Sequence, residues 1–266
     1  MSSPTPASKP RASAPTAPPS LTERRKAATR MEIARAAAGL FVTRGLRATR
    51  AEDIAQDAGI APRTFYRYFA TKEEAVAPLY AAGAQRWADA VAAAPADLSL
   101  PQALEHAARH TLTPGAGVSA ASWELVRTLI RMTDTSPALG KVYAEVCHTS
   151  EGRLAEVLAG RGAGGAGDVD GADGADGADG ADGADGADGA DGADGADNVG
   201  MGATAGLGNS SAPRFAAAVA SAAVRAAVES WAAGTAPAGG AQGPAALALG
   251  NLAALREFPW TDLLGA

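Results

Sequence analysis

The chain is predicted to be all-α, and three observations carry that expectation. Much of its 47% hydrophobic content is alanine, the residue of highest helix propensity and the one that lets helices pack closely. Runs in which Val, Ile or Thr alternate with polar residues are absent, so no segment reads as a half-buried strand. Capping residues and prolines stand where apolar residues at helical spacing begin, which is how helix starts are written. At 266 residues the chain can bury one or two cores.

The first helix is predicted over 24–41, with Ile33, Ala37, Leu40 and Phe41 on one stripe at i, i+4, i+7 and i+8. Gly45 follows it, where a left-handed cap is expected. Thr49 and Glu52 form an S/T-x-x-E box that starts a second helix at Arg50. Ile54, Ala55 and Ala58 supply its buried face, and Gly59 stops it. "GIA" is then a three-residue turn, and Pro62 opens a short third helix over 62–68, where its missing N–H costs nothing. Two short helices joined by a Gly-containing turn, behind a longer brace, make a helix-turn-helix. Only 5% of the chain is aromatic, yet Phe65, Tyr66, Tyr68 and Phe69 crowd into five positions. Helical spacing divides them. Phe65 and Phe69 share a face and should pack on Ile33, Phe41 and Ile54, while Arg63, Tyr66, Arg67 and Tyr68 project elsewhere.

A second box, Thr71 with Glu74, predicts a fourth helix from Lys72 to about Ala93, kinked at Pro78. Further helices are predicted over 101–112, 120–132 and 137–158, and then, after a long repeat, over 213–231 and 244–258. Pro137, Pro213 and Pro244 each stand at a first helical position. The repeat, "DGADGAD" and onward, lacks the proline of collagen-like chains and the apolar position of calcium-binding solenoids. A solvated linker is expected there, and its deletion should leave the folding of the flanking helices nearly unchanged. Five regions result: a tail over 1–20, a helix-turn-helix domain over 21–76, a helical region over 77–160, an acidic Gly-rich linker over 161–212, and two last helices over 213–266.

The net charge of −6 conceals its distribution. Eleven aspartates lie in 168–197, and without them the chain would carry +5. Residues 21–76 hold eleven Lys and Arg against seven Asp and Glu, a modestly basic front end. The single cysteine, Cys147, cannot form an internal disulfide, and no segment reaches the ~18 apolar residues of a membrane span. With no apolar signal core at the start, a cytoplasmic protein is expected. No phosphate-cradling Gly-rich loop or nucleophile motif is present, so an enzyme is not expected and no cofactor is implied. His106 and His110 are four apart but lack an acidic or Cys neighbour to complete a metal set, and a polar helix face is the better account.

The stretch "GLRATRAEDIAQDAGIAPRTFYRYFATKEEAV" (45–76) resembles the tetracycline-repressor (TetR) family of transcription regulators. The likeness covers about 24–76, one fifth of the chain, and includes the helix-two box, Gly59, the Thr-x-Tyr of the recognition helix and the Lys after it. More loosely, "AAVRAAVESW" at 222–231 resembles the C-terminal domain of mycofactocin-type regulators. Ala61 departs from the family's usual N-cap residue, a loss of about 1 kcal/mol of helix stability.

The resemblance implies a homodimeric repressor that leaves a palindromic operator when it binds a small-molecule effector. The DNA-binding set it implies is Thr49, Arg50, Pro62, Arg63, Thr64, Tyr66, Arg67, Tyr68 and Lys72. Thr49, Arg50, Thr64, Tyr66, Tyr68 and Lys72 are expected at phosphates, which position without reading sequence. Arg63 is the first candidate base reader, since a guanidinium takes guanine O6 and N7 together, and Arg67 is the second. For Tyr66 and Tyr68 ring packing is the alternative, and for Arg67 a solvated helix face. Trp87, Trp123, Arg127, Arg131, Met132 and Tyr143 are candidate lining around the effector, though any one of them is more often ordinary core or surface than a ligand contact. Phe215, Trp231, Leu252 and Leu255 are expected as larger knobs in a dimer of the last two helices. Pro78 is expected to be the joint that couples effector to DNA. The alternative reading is a constitutive DNA-binding or scaffolding protein with no ligand.

Overall fold

The computed structural model describes residues 20–115, 119–165 and 205–260. Among them are nine α-helices and no strand, as expected. Most of the N-terminal tail and the Asp-Gly-Ala repeat lie outside the described residues.

Helix α1 (Leu21–Arg44) exceeds its expected length at both ends. Its start is set by Ser20, whose hydroxyl accepts the Glu23 amide at 3.2 Å while the Glu23 carboxylate accepts the Ser20 amide at 2.8 Å. Those bonds hold the Glu23 carboxyl below its usual range. Helix α2 (Ala51–Asp57) begins one residue later than expected, because Arg50 is its N-cap and Asp53, not Glu52, accepts the Arg50 amide at 2.9 Å. Thr49 does not cap. It is fully buried, and its hydroxyl donates to the carbonyls of Gly45 (2.9 Å) and Leu40 (3.3 Å), tying the α1–α2 loop to the end of α1. Gly59, at φ +66°, closes α2 in a Schellman arrangement: Ile60 N–H reaches the Ala55 carbonyl and Gly59 N–H the Gln56 carbonyl. Helix α3 (Pro62–Tyr68) has the expected bounds, and no side chain caps it at Ala61.

The expected fourth helix differs most. Thr71 Oγ1 does accept the Glu74 amide at 3.2 Å. The chain then makes only a 3₁₀ turn at Glu74–Val76, and α4 runs Ala77–Ala92. Pro78 therefore sits in the first turn of α4, where its absent N–H removes no helical bond, and the expected mid-helix kink does not exist. Beyond it lie α5 (Leu100–Leu112), α6 (Ala120–Thr135), α7 (Pro137–Gly165), α8 (Ala205–Ala233) and α9 (Pro244–Ala253). Helices α7 and α8 extend into the span expected to be linker. Pro213 lies inside α8 instead of opening it.

Two cores form. The first gathers Ile33 and Phe41 of α1, Ile54 of α2, and Phe65 and Phe69, with Leu129 of α6 and Leu139 of α7 closing it from the other side. Phe65 is 0% exposed, and its ring lies 5.9 Å from Phe69. The second gathers Trp87, Leu104, Trp123, Leu154, Leu158, Trp231 and Leu252 with a run of α8 alanines. Small α8 side chains let α7 and α9 approach it closely.

Candidate nucleic-acid interface and internal cavity

Locking Phe65 and Phe69 inward fixes what α3 presents outward. Pro62, Arg63, Tyr66 and Arg67 are exposed, Thr64 and Tyr68 half-buried. Tyr66 packs edge-on against Phe65 at 5.4 Å, and its hydroxyl donates to Glu52 Oε1 at 3.2 Å, joining α3 to α2. Desolvation and the Glu52 carboxylate hold the phenol above its usual range, so it remains a neutral donor. Tyr68 packs against the first core and takes the Arg67 guanidinium over its ring at 5.5 Å. Arg50 is exposed at the start of α2.

Two residues of the expected set are placed differently. Thr49 has no exposed side chain to offer a phosphate, since its hydroxyl is used inside. Lys72 Nζ donates to the carbonyls of Leu46 (2.7 Å) and Thr49 (2.9 Å), which leaves one of its three donors for another partner. Sequence reasoning missed Arg30. Its guanidinium donates to the Tyr68 carbonyl at 3.0 Å and lies 4.5 Å over Phe69, pinning α1 to the end of α3. Nothing local signals this contact.

The second feature is a cavity of about 190 Å³ among α4, α5, α6, α7 and α8. Trp87, Trp123 and Tyr143 line it with Tyr80, Val126, Leu154, Cys147 and Arg225. Arg127, Arg131 and Met132 do not. Arg127 is 9% exposed, stacks 4.2 Å over Trp231 and donates to the Ala236 carbonyl. Arg131 donates to the carbonyls of Ala232, Ala233 and Gly234. Both cations thus satisfy the carbonyl end of α8 and the turn after it, where the helix dipole favours positive charge. Met132 packs on the first core.

Tyr80 joins the two features. Its ring lines the cavity 5.0 Å from Tyr143, packs against the first core, and carries a hydroxyl that donates to the Leu129 carbonyl of α6 at 3.2 Å. Burial pushes both phenols well above their ordinary range. Burial also pushes the Cys147 thiol up, opposed by the Tyr143 hydroxyl and Arg225. Because the thiolate is the nucleophile, iodoacetamide should label Cys147 more slowly in the folded protein than in denaturant near pH 8. The gap should narrow as pH rises, and equal rates at pH 8 would contradict the burial argument. Among the described residues no cluster of His, Cys, Asp or Glu could hold a metal ion, and no helix is long and apolar enough to cross a membrane.

Comparison with known proteins bears on the first of these features. Residues 33–77 match the sequence family described as bacterial regulatory proteins, tetR family. The HTH-type transcriptional regulator TcmR of Streptomyces glaucescens is 31% identical over 145 residues, 54% of this chain and 64% of that protein. The HTH-type transcriptional repressor KstR2 of Mycobacterium tuberculosis is 51% identical over 47 residues, 18% of this chain and 24% of that protein. The matched stretches thus span less than two thirds of either relative. A solved structure of a candidate tetR family transcription regulator from Shewanella sp. PV-4 shares 27% identity over 52% of this chain and 71% of its own, at a TM-score of 0.37. That score is too low to bear on how the helices are arranged. The match over 33–77 coincides with the three helices that hold Phe65 and Phe69 inward and Arg63 and Tyr66 outward, and over that stretch the chain is similar to the tetR family of bacterial regulatory proteins.

Proposed function

We propose that the protein is a DNA-binding transcriptional regulator, a homodimeric repressor released from a palindromic operator by a small molecule held in the α4–α8 cavity. The observation that carries the DNA reading is the division of α3, apolar side chains locked inward and Arg63, Tyr66 and Arg67 exposed on the outer face. Arg63 then reads base edges, while Arg50, Thr64, Tyr66, Tyr68 and the remaining donor of Lys72 meet phosphates. The dimer reading rests on α8, rich in small residues, and on Phe215, which stays 53% exposed beside Phe258. Trp231 and Leu252, expected as dimer knobs, are instead buried in the protomer's own core. The effector reading rests on the apolar cavity and its tie to the DNA-binding core through Tyr80. A protein acting on DNA in this way belongs in the cytoplasm.

Selection of a bound sequence from a randomised duplex pool tests the function, combined with sedimentation and a thermal-shift screen of small apolar compounds. A palindromic consensus, a dimer and a stabilising compound that lowers DNA affinity are expected. DNA binding with no stabilising compound would favour the constitutive reading. With Pro78 unable to act as a kink, coupling is assigned to Tyr80. Tyr80→Phe keeps the ring contact with Tyr143 and removes the bond to Leu129. It should shift the effector concentration that releases DNA several-fold while changing effector affinity less. An unchanged release curve would rule Tyr80 out as the coupling residue.

A further inference from the structure

The first two turns of α1 are ordered but pack on little. Residues 21–28 are all exposed, and the first buried side chain of the helix is Ile33. A helix end with no packing partner is marginal in water, yet this one is fixed by the reciprocal bonds between Ser20 and Glu23. What it displays in consecutive positions is Arg24, Arg25 and Lys26.

Its place is set by Arg30, which binds the Tyr68 carbonyl and covers Phe69 at the C-terminal end of the recognition helix. At 1.5 Å of rise per residue, Lys26 and Arg24 stand about 6 and 9 Å further along the α1 axis from that crossing. Successive residues turn by about 100°, so the three cations fan across roughly 200° of the helix surface.

Lys26 helps stabilise the Glu23 carboxylate, but none of the three cations makes an ion pair within the described residues. Among the described residues, no Lys or Arg of 21–76 has a carboxylate within ion-pair distance, whereas Arg109, Arg127, Lys141, Arg153, Arg225 and Arg256 all do. The one carboxylate in the first turn, Glu23, is turned back on the Ser20 amide. A surface of free cations beside a groove-reading helix is complementary to the polyanion that helix would lie in.

We propose that the side chains of Arg24, Arg25 and Lys26 form a second DNA-backbone contact, flanking the recognition helix at its Tyr68 end. The proposal rests on the DNA-binding reading above. The contact belongs to the side chains and not to the helix amides, since the capping box already engages the helix start. It adds affinity without sequence preference and extends the protected DNA outward from the groove that α3 occupies.

The test uses the full chain carrying Arg24→Gln, Arg25→Gln and Lys26→Gln together, because glutamine keeps helix propensity close to that of arginine and lysine. Affinity is measured against salt on a labelled mixed-sequence duplex and on the duplex selected from the pool. Each lost phosphate contact removes about 0.9 from the slope of log K on log salt, so the triple variant should be shallower by about two to three units. It should weaken binding to both duplexes while leaving their affinity ratio unchanged. Arg153→Gln, a C-terminal cation already ion-paired, should keep the wild-type slope. Arg24→Lys with Arg25→Lys retains the charge and should keep it too. An unchanged slope in the triple Gln variant with intact helical circular dichroism overturns the site, and so does an equal loss in the Lys variant. Wild-type protein that binds neither duplex would instead overturn the DNA-binding reading beneath it.

Discussion

Trp231→Ala should lower the stability of the protein by about 3–5 kcal/mol, the range for removing a fully buried aromatic side chain. Trp231 is 1% exposed and meets Trp123 edge-to-face at 5.4 Å. Its indole N–H donates to the carbonyls of Ala236 (3.0 Å) and Pro237 (3.3 Å). Removing the ring opens a cavity and also uncovers one side of Arg127, a buried cation whose Nε already lacks a hydrogen-bond partner among the described residues. An aromatic pair contributes about 0.5–1.5 kcal/mol beyond its area, so Trp231→Phe should recover part of the loss. The measurement is the urea midpoint at constant m-value. A loss below about 1 kcal/mol for Trp231→Ala would mean that the site collapses to fill the space, against the packing seen around it.

Arg63→Ala should weaken operator binding by about 1–3 kcal/mol and relax preference at one position of each half-site. The side chain is exposed, carries no ion pair among the described residues, and stands near the start of α3, the end from which a recognition helix reads base edges. Lys72→Ala provides the contrast. Its ammonium holds two loop carbonyls that would lose charge-assisted bonds, each worth about 1.5–3 kcal/mol before solvent exposure reduces it. That variant should therefore lose thermal stability and bind all sequences more weakly, with no change of preference. If the two variants lose affinity alike and without regard to sequence, Arg63 is not a base reader.

How far the sequence alone reaches can be judged residue by residue. The bounds of α3, the stop at Gly59 and the inward pairing of Phe65 with Phe69 follow from local rules: a first-position proline, a residue with positive φ and i, i+4 spacing. Each involves atoms a few residues apart, so the string of letters already contains the interaction. Trp87, Trp123 and Tyr143 are singled out only through the family resemblance, and the sequence could not say that they would meet at one cavity.

Several of the errors share one cause. Thr49 with Glu52 is the better box by local rules, since an Arg side chain cannot accept an amide. Yet α2 starts after Arg50, because the Thr49 hydroxyl is drawn into the loop by the Leu40 and Gly45 carbonyls and Asp53 takes the Arg50 amide. Arg127 and Arg131 looked like ligand contacts. Their partners are carbonyls about a hundred positions away, at an α8 end that only the packing of α6 on α8 brings within reach. Tyr80 owes its importance to three neighbours on α6, α7 and the first core, none of them close in sequence. What the sequence by itself determined was the helical architecture and the inward and outward faces of the recognition helix, because capping and periodicity act within one or two turns. Which polar side chains are free to meet a ligand or DNA was decided by tertiary structure, because a hydrogen bond to a distant carbonyl, once made, removes that donor from the surface.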